Sequence, residues 1–158
     1  MNLWIFVFFP MVMALVCAAW KERAQTIAVA TGLVEFLLGI WVALGAEQSL
    51  SLPLLTGLNV TLDGFRRVYV LVICLMWACT LLLSPEYFRH HRNVTRYYVF
   101  NLLTLGATLG VFLAADLYTA FVFFEIMSFT SFTWVIQEET EGAIRAADSR
   151  AEAGAGAT

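Results

Sequence analysis

The sequence AADLYTAFVFFEIMSFTSFTWVIQ, residues 114–137, contains an apolar run from Leu117 to Ile136 in which Glu125 is the one charged residue. A run of this length is sufficient for a helix to cross the hydrocarbon core of a bilayer. A charged side chain at the centre of such a helix costs roughly 2.5–3.5 kcal/mol on insertion scales, and ionisable residues there usually mark ion or proton pathways. The stretch therefore predicts a membrane helix that carries a functional acid.

The composition of the whole chain agrees with a membrane protein. Of the 158 residues, 61% are hydrophobic and 13% are charged, and the mean hydropathy is +0.79. A net charge of −3, with most of the charged residues in loops and the C-terminal segment, argues against a nucleic-acid-binding surface. No soluble catalytic domain is evident, and we interpret the chain as an integral membrane protein.

A helix needs about 20 apolar residues to cross the bilayer. Five stretches approach or reach this length, and they are residues 3–20, 26–46, 65–83, 97–115 and 117–136. We therefore predict an all-α membrane fold, with a transmembrane domain over residues 1–137 and a polar cytoplasmic tail over residues 138–158. The first stretch lacks a basic start and a small-residue cleavage site, so we expect it to be a span and not a signal peptide.

The basic residues of the short loops predict the orientation. Lys21 and Arg23 join helices one and two, and Arg89, Arg92 and Arg96 join helices three and four. Because such loops stay in the cytoplasm, we expect the N-terminus outside, the C-terminus inside, and a multi-pass location in the inner (cytoplasmic) membrane.

The outer connection between helices two and three alternates apolar and polar residues around Pro53 and Gly57. This pattern predicts two short strands joined by a turn, in a small hairpin on the outer face. Arg66 and Arg67 begin the third helix on the same side, against the charge rule. We expect them to reach the interface or to pair with Asp63.

Several polar residues accompany Glu125 within the predicted spans. Ser128 lies one turn beyond it, on a helix face that also contains Tyr118, Phe121 and Phe132. In helix four, Asn101, Thr104 and Thr108 form a polar stripe. That stripe is able to hold water or bond to a neighbouring helix, and the alternative is that its hydroxyls bond carbonyls one turn back. Gly106 and Gly110 have the GxxxG spacing of close helix packing.

Two further acids are candidates for proton transfer. Glu35 lies within the second predicted span, at a depth similar to that of Glu125, and Asp116 lies at the mouth of the fifth. Glu35 is either part of a proton relay or a protonated structural group. The three cysteines, Cys17, Cys74 and Cys79, form no CxxC pair and lie near no pair of histidines. We interpret them as small buried hydrophobic residues and predict no metal site.

The region from about residue 55 to 147 resembles the N-terminal part of the antiporter-like subunits of respiratory complex I, Mrp-type antiporters and membrane-bound hydrogenases. The shared features are the Asp63-Gly64 pair that opens the third helix, the Ser84-Pro85 exit, and the Asp116 turn that leads into FVFFEIMS. In that family the glutamate of FxxWE-type motifs belongs to the proton-translocation machinery. The resemblance implies this role for Glu125.

The family continues through further spans, which contain a broken helix and buried lysines. The resemblance therefore implies other membrane subunits as partners, including a chain that supplies the later helices and a buried lysine. The chain is then a piece of a split antiporter-like subunit or a reduced accessory subunit, and the alternative is a structural or assembly subunit without proton transfer. No flavin, nucleotide or iron–sulfur motif is present, so we expect no catalytic site and no cofactor in this chain.

The predicted orientation can be tested by cysteine labelling in intact cells. In a chain whose own three cysteines are replaced by alanine, a cysteine at Ser51 is expected to react with an impermeant thiol reagent added outside. A cysteine at Asn93 is expected to stay unlabelled, because the basic loop that contains it is cytoplasmic. The reverse pattern of labelling would overturn the orientation.

Overall fold

The computed structural model describes residues 3–45, 48–52, 57–87 and 94–132. It contains five apolar helices, which are α1 (Leu3–Ala19), α2 (Ala24–Leu44), α3 (Gly64–Tyr87), α4 (Val94–Leu113) and α5 (Leu117–Phe132). A short 3-10 turn, Lys21–Arg23, leads into α2. The predicted polar tail, the end of the fifth helix at Ile136 and the loop with Arg89 and Arg92 lie outside the described residues.

The lengths of the helices support a membrane protein. Three segments, Lys21–Leu44, Gly64–Tyr87 and Val94–Leu113, are long and apolar enough to cross a bilayer, and α1 and the described part of α5 are shorter apolar helices. The prediction of an all-α membrane protein is confirmed at this level. The number of complete spans and their orientation stay predictions.

The connection between α2 and α3 forms the predicted hairpin. Strands β1 (Gln48–Leu52) and β2 (Leu58–Leu62) pair antiparallel, with Leu50 opposite Val60. Val60 also makes an isolated antiparallel bridge to Ala114, just after α4. The hairpin is therefore attached to the end of the bundle at which α4 gives way to α5.

The predicted limits of two helices need correction by two or three residues. Helix α2 runs from Ala24 to Leu44 and not from 26 to 46, because the chain turns extended at Gly45. Helix α4 runs from Val94 to Leu113 and not from 97 to 115. Such shifts are typical because the apolar pattern does not fix the terminal turn of a helix.

The predicted exit of α3 at Ser84-Pro85 is wrong, since the helix continues through Pro85 to Tyr87. Pro85 has no N–H to donate to the carbonyl of Leu81. The Ser84 hydroxyl donates to that carbonyl instead, at 3.0 Å. The serine thus satisfies the acceptor that the proline leaves free, and α3 gains a further turn.

Two apolar clusters form the interior. The hairpin-side cluster includes Phe6, Val60, Leu109 and Phe123, and the far cluster includes Cys17, Ala28, Leu81 and Tyr98. Helix α1 packs mainly on α4, and α2 packs mainly on α3. Of the cysteines, Cys17 and Cys74 are buried as predicted. The prediction is wrong for Cys79, which is exposed because it lies off the buried face of α3.

The predicted close packing of Gly106 and Gly110 is confirmed. A Cβ atom added to Gly106 would overlap the Met11 side chain and lie 3.0 Å from the carbonyl oxygen of Val7, both on α1. A Cβ atom added to Gly110 would overlap the ring of Phe123 on α5. Helix α4 is therefore approached closely by α1 at Gly106 and by α5 at Gly110.

We expect Gly110→Ala to destabilise the packing of α5 on α4 by about 1–3 kcal/mol, because the new methyl group must displace a buried aromatic ring. The measurement is the thermal unfolding midpoint of the complex that contains this chain. Gly64→Ala is the matched control, since a Cβ atom there meets no atom within 4 Å. Equal midpoints for the two variants would contradict the packing argument.

Candidate functional site

The start of α5 is fixed by a side chain that caps the helix. The Oδ1 atom of Asp116 accepts the backbone N–H of Thr119 at 2.7 Å, which is the geometry of an N-cap. The Oδ2 atom accepts the side-chain amide of Asn59 at 2.7 Å. The Thr119 N–H, helped by the Asn59 amide, holds the pKa of Asp116 below its ordinary value. Asp116 thus has the contacts of an ionised cap.

The strand β2 is bonded to α5 at the same place. The backbone N–H of Asn59 donates to the Thr119 hydroxyl at 2.9 Å, and its carbonyl accepts the Ala115 N–H at 2.8 Å. Our sequence analysis missed Asn59 and Thr119 as structural residues. An aspartate directly before an apolar run was the available signal for the cap, whereas the contact with Asn59 is tertiary.

Arg66 connects the start of α3 to the end of α4. It pairs with Asp63 at 2.9 Å, as predicted. It also donates to the carbonyls of Phe112, at 3.1 Å, and Ala114, at 2.7 Å. An arginine at this position satisfies carbonyls that the end of a helix leaves free. We refer to Asn59, Asp63, Arg66, Asp116 and Thr119 together as the polar junction.

Glu125 lies on the outward face of α5. The side chains predicted to share this face do share it, and Glu125, Ser128, Tyr118, Phe121 and Phe132 are all exposed. The inward face of the helix is formed by Thr119, Phe123 and Thr130, which are buried. Within the described ranges, no basic side chain forms an ion pair with Glu125. Its exposed carboxyl faces away from the described bundle.

The polar stripe on α4 has two kinds of contact. The hydroxyls of Thr104 and Thr108 donate to carbonyls one turn back, at 2.8 and 2.7 Å, which is the packing alternative considered from the sequence. The Thr104 hydroxyl also lies 3.2 Å from the hydroxyl of Thr130 on α5. This contact joins the two helices across their interface.

A cavity of about 410 Å³ opens beside the stripe. Its walls come from α3, α4 and α5 and comprise Trp77, Tyr97, Phe100, Asn101, Thr104, Thr130 and Ser131. The Asn101 amide donates to the Tyr97 hydroxyl at 3.1 Å, but its buried Oδ1 atom has no hydrogen-bond partner among the described residues. A cavity of this size and polarity has room for water, which would satisfy that oxygen.

Glu35 is the acid that the bundle encloses. Its side chain is 1% exposed, and neither carboxyl oxygen has a hydrogen-bond partner within the described part of the chain. The other members of the buried face of α2 are small or medium-sized: Ala24, Ala28, Thr31, Gly32, Gly39 and Val42. The structure therefore does not join Glu35 to Glu125, since one is sealed inside the bundle and the other faces outward.

Comparison with known proteins finds sequence similarity to one antiporter subunit. No protein-family model matches the sequence. The chain is 29% identical, over 103 residues, to a protein of Staphylococcus saprophyticus named as antiporter subunit mnhA2, and the match covers 62% of this chain and 13% of that protein.

Two solved structures share the fold. A chain of the Mrp complex from Dietzia sp. DQ12-45-1b is 23% identical with a TM-score of 0.71, over 83% of this chain and 26% of that one. A chain of the membrane-bound sulfane sulfur reductase, an archaeal respiratory membrane complex, is 21% identical with a TM-score of 0.71, over 82% of this chain and 22% of that one. The chain thus spans about a quarter or less of each of these proteins.

These similarities confirm the resemblance to antiporter-like subunits that the sequence predicted. They support a multi-pass membrane protein, in agreement with the apolar helices. The solved structures establish the likeness of the fold.

We expect Asp116→Ala to loosen the start of α5, because it removes the helix cap and the bond to Asn59. The pKa of Asp116 is lowered by folding, so its carboxylate stabilises the fold above the unfolded pKa, and this contribution is lost as the pH falls through the folded pKa. Thermal unfolding across acidic to neutral pH checks this. At neutral pH the unfolding midpoint of the variant is expected to be a few degrees lower. The variant should also lack the fall in stability that protonation of Asp116 causes at acidic pH.

The control is Glu22→Ala, which removes an exposed carboxyl from the short turn before α2. It should leave both the midpoint and its dependence on pH unchanged. A neutral-pH midpoint of Asp116→Ala equal to that of the unaltered chain would refute the capping role.

Proposed function

We propose that this chain is an antiporter-like membrane subunit that contributes to proton or cation translocation in a redox-driven multisubunit complex of the cytoplasmic membrane. The observation that carries the proposal is the outward-facing carboxyl of Glu125 in the middle of α5, an apolar helix. The similarity to an antiporter subunit, and the fold shared with chains of two membrane complexes, support it.

A carboxyl group at this position needs a partner. Lipid gives no hydrogen bonds, so a charged Glu125 that faced hydrocarbon would be unfavourable. Helices α1–α5 contain no lysine, and we infer that a further membrane segment covers the outward face of α5 and supplies a basic side chain. Such a partner would favour the ionised carboxylate, and its withdrawal would favour protonation. Alternation between the two states is what a proton station requires.

The other polar residues receive supporting roles in this proposal. Ser128, exposed one turn from Glu125, is placed to bond a water or the covering segment. Asn101, Thr104 and Thr130 line the cavity and are suited to hold water between α4 and α5. Thr108 acts in packing, because its hydroxyl is already bonded to the carbonyl of Thr104. Asp116 contributes indirectly by fixing the start of the helix that carries Glu125.

The proposal includes the orientation and the partner of the chain. The chain lies in the inner membrane with its N-terminus outside and its C-terminus inside, and a partner chain provides further helices of the fold. The chain itself supplies no electron-transfer group in this proposal. It acts as a non-redox membrane subunit of an oxidoreductase or of a cation/proton antiporter.

The second candidate is a structural or assembly subunit without proton transfer. The observation that favours it is the bonding of Thr104 and Thr108 to carbonyls of their own helix, because these hydroxyls are already used in packing. Under this alternative the outward face of α5 is only a contact surface for another subunit.

Replacement of Glu125 separates the two functions. Glu125→Gln keeps the size of the side chain and removes its titratable group. We expect normal assembly and a fall in proton translocation of roughly tenfold or more, because groups that transfer protons typically contribute ~10²–10⁴ in rate. Glu125→Asp should give an intermediate rate, since the shortened side chain still titrates but lies displaced from its partner. The measurement is proton uptake by reconstituted vesicles at equal complex content.

Glu22→Gln is the matched control, because it neutralises an exposed carboxyl outside the apolar helices. It should translocate protons at the unaltered rate. If Glu125→Gln also retains that rate, the chain is a scaffold and the second candidate is correct.

A further inference from the structure

The second acid, Glu35, lies in the contact between α2 and α3, and the proposed role of Glu125 makes no use of it. The side chain is 1% exposed, and its two oxygens have no hydrogen-bond partner among the described residues. The transfer of an unpaired carboxylate from water into an apolar interior is strongly unfavourable. The packed structure therefore accommodates Glu35 as the neutral carboxylic acid, with a proton bound.

Two glycines bring α3 against the backbone of α2 on either side of this carboxyl. Gly32 precedes Glu35 by three residues and Gly39 follows it by four, so all three lie on one helix face. A Cβ atom on Gly39 would lie 2.8 Å from Cys74 Sγ and 3.2 Å from Cys74 Cβ. A Cβ atom on Gly32 would lie 2.6 Å from Leu81 Cδ1. The carboxyl is thus enclosed between two close contacts with α3.

The neighbouring polar groups do not neutralise a charge on Glu35. One turn away on α2, the Thr31 hydroxyl is bonded to the Ile27 carbonyl at 2.7 Å. On the buried face of α3 the titratable side chain is Cys74.

The other two helices that pack against α2 supply no base either. The buried titratable groups there are Cys17 on α1 and Tyr98 on α4. Cys17 donates to the Ala24 carbonyl at 3.6 Å, and the hydroxyl oxygens of Tyr98 and Ser84 lie 3.1 Å apart. None of these side chains is a base, so deprotonation of Glu35 requires that water enter the contact.

We propose that Glu35 is a proton-binding site closed by the contact of Gly39 with Cys74, and that its proton exchanges with water only when α2 and α3 separate at this contact. On opening, the O–H bond of the carboxylic acid breaks, an entering water takes the proton, and the carboxylate remains. Closure follows the return of a proton to that carboxylate. The inference concerns the α2–α3 contact and does not depend on the role of Glu125.

Infrared spectroscopy of the intact complex tests the bound proton. The difference between unaltered and Glu35→Gln complexes is expected to contain the C=O band of one protonated carboxylic acid at neutral pH. After transfer into D₂O, the deuterium shift of this band should develop slowly, because exchange waits for local opening. Should Glu35→Gln fail to assemble, Glu35→Asp serves in its place and is expected to move the band. The absence of such a band, or its immediate exchange, would overturn the proposal.

The closure is tested by a matched pair of glycine replacements. Gly39→Ala forces a methyl group against the Sγ and Cβ atoms of Cys74, and it is expected to accelerate exchange by at least about tenfold through overpacking. Gly64→Ala, at the start of α3, is the control, because a Cβ atom there meets no atom within 4 Å. It should leave the exchange rate close to that of the unaltered complex.

Removal of the opposing sulfur should restore the closed contact. Gly39→Ala combined with Cys74→Ala is expected to return slow exchange, because the second change vacates the volume that the new methyl group needs. Equal exchange in Gly39→Ala and Gly64→Ala would exclude the Gly39–Cys74 contact as the closure. Glu125→Gln serves as an independent comparison, since it should alter proton translocation while the Glu35 band and its slow exchange persist.

Discussion

Close approach of helix backbones at glycine positions is the constraint on which the bundle depends. In membranes the lipid is as apolar as the side chains, so helices associate through close van der Waals packing more than through hydrophobic burial. Here α4 offers Gly106 to α1 and Gly110 to α5, while α2 offers Gly32 and Gly39 to α3. A side chain at any of these positions would meet atoms of the neighbouring helix. The glycines therefore set which helices are neighbours and which side chains are enclosed between them.

The polar junction complements this packing at the hairpin end of the bundle. Asp116 caps α5, Asp63 accepts the Arg66 backbone N–H at the start of α3, and the Arg66 side chain bonds the last carbonyls of α4. The ends of helices expose backbone groups that hydrocarbon cannot satisfy. By satisfying them with the carboxylates of Asp116 and Asp63 and the guanidinium of Arg66, the junction fixes where α5 begins. The direction in which Glu125 points follows from this start and from the contact of Phe123 with Gly110.

Much of this fold follows from local sequence patterns. Apolar runs predicted the helices, alternation around Gly57 predicted the hairpin, and proximity in sequence predicted the pair of Asp63 with Arg66. The end of α3 was predicted wrongly because Pro85 was taken as the end of the helix. The hydroxyl of Ser84 donates to the carbonyl that the proline leaves free, and the helix continues. The contact of Asn59 with α5 joins residues 57 positions apart, and no local pattern reports such a contact.

The environments of the two acids were not predictable from sequence for a related reason. A glutamate within an apolar run indicates a special position, but the rotation of each helix about its axis decides whether that position faces the bundle. For α2, small residues at 28, 32 and 39 turn the Glu35 face toward α3, whereas for α5 the burial of Thr119, Phe123 and Thr130 turns Glu125 outward. An enclosed acid without a partner exchanges its proton at the rate at which its enclosure opens. Proton binding by an outward-facing acid depends on the segment that covers it. The chain therefore holds two carboxyls whose proton exchange is controlled by different helix contacts.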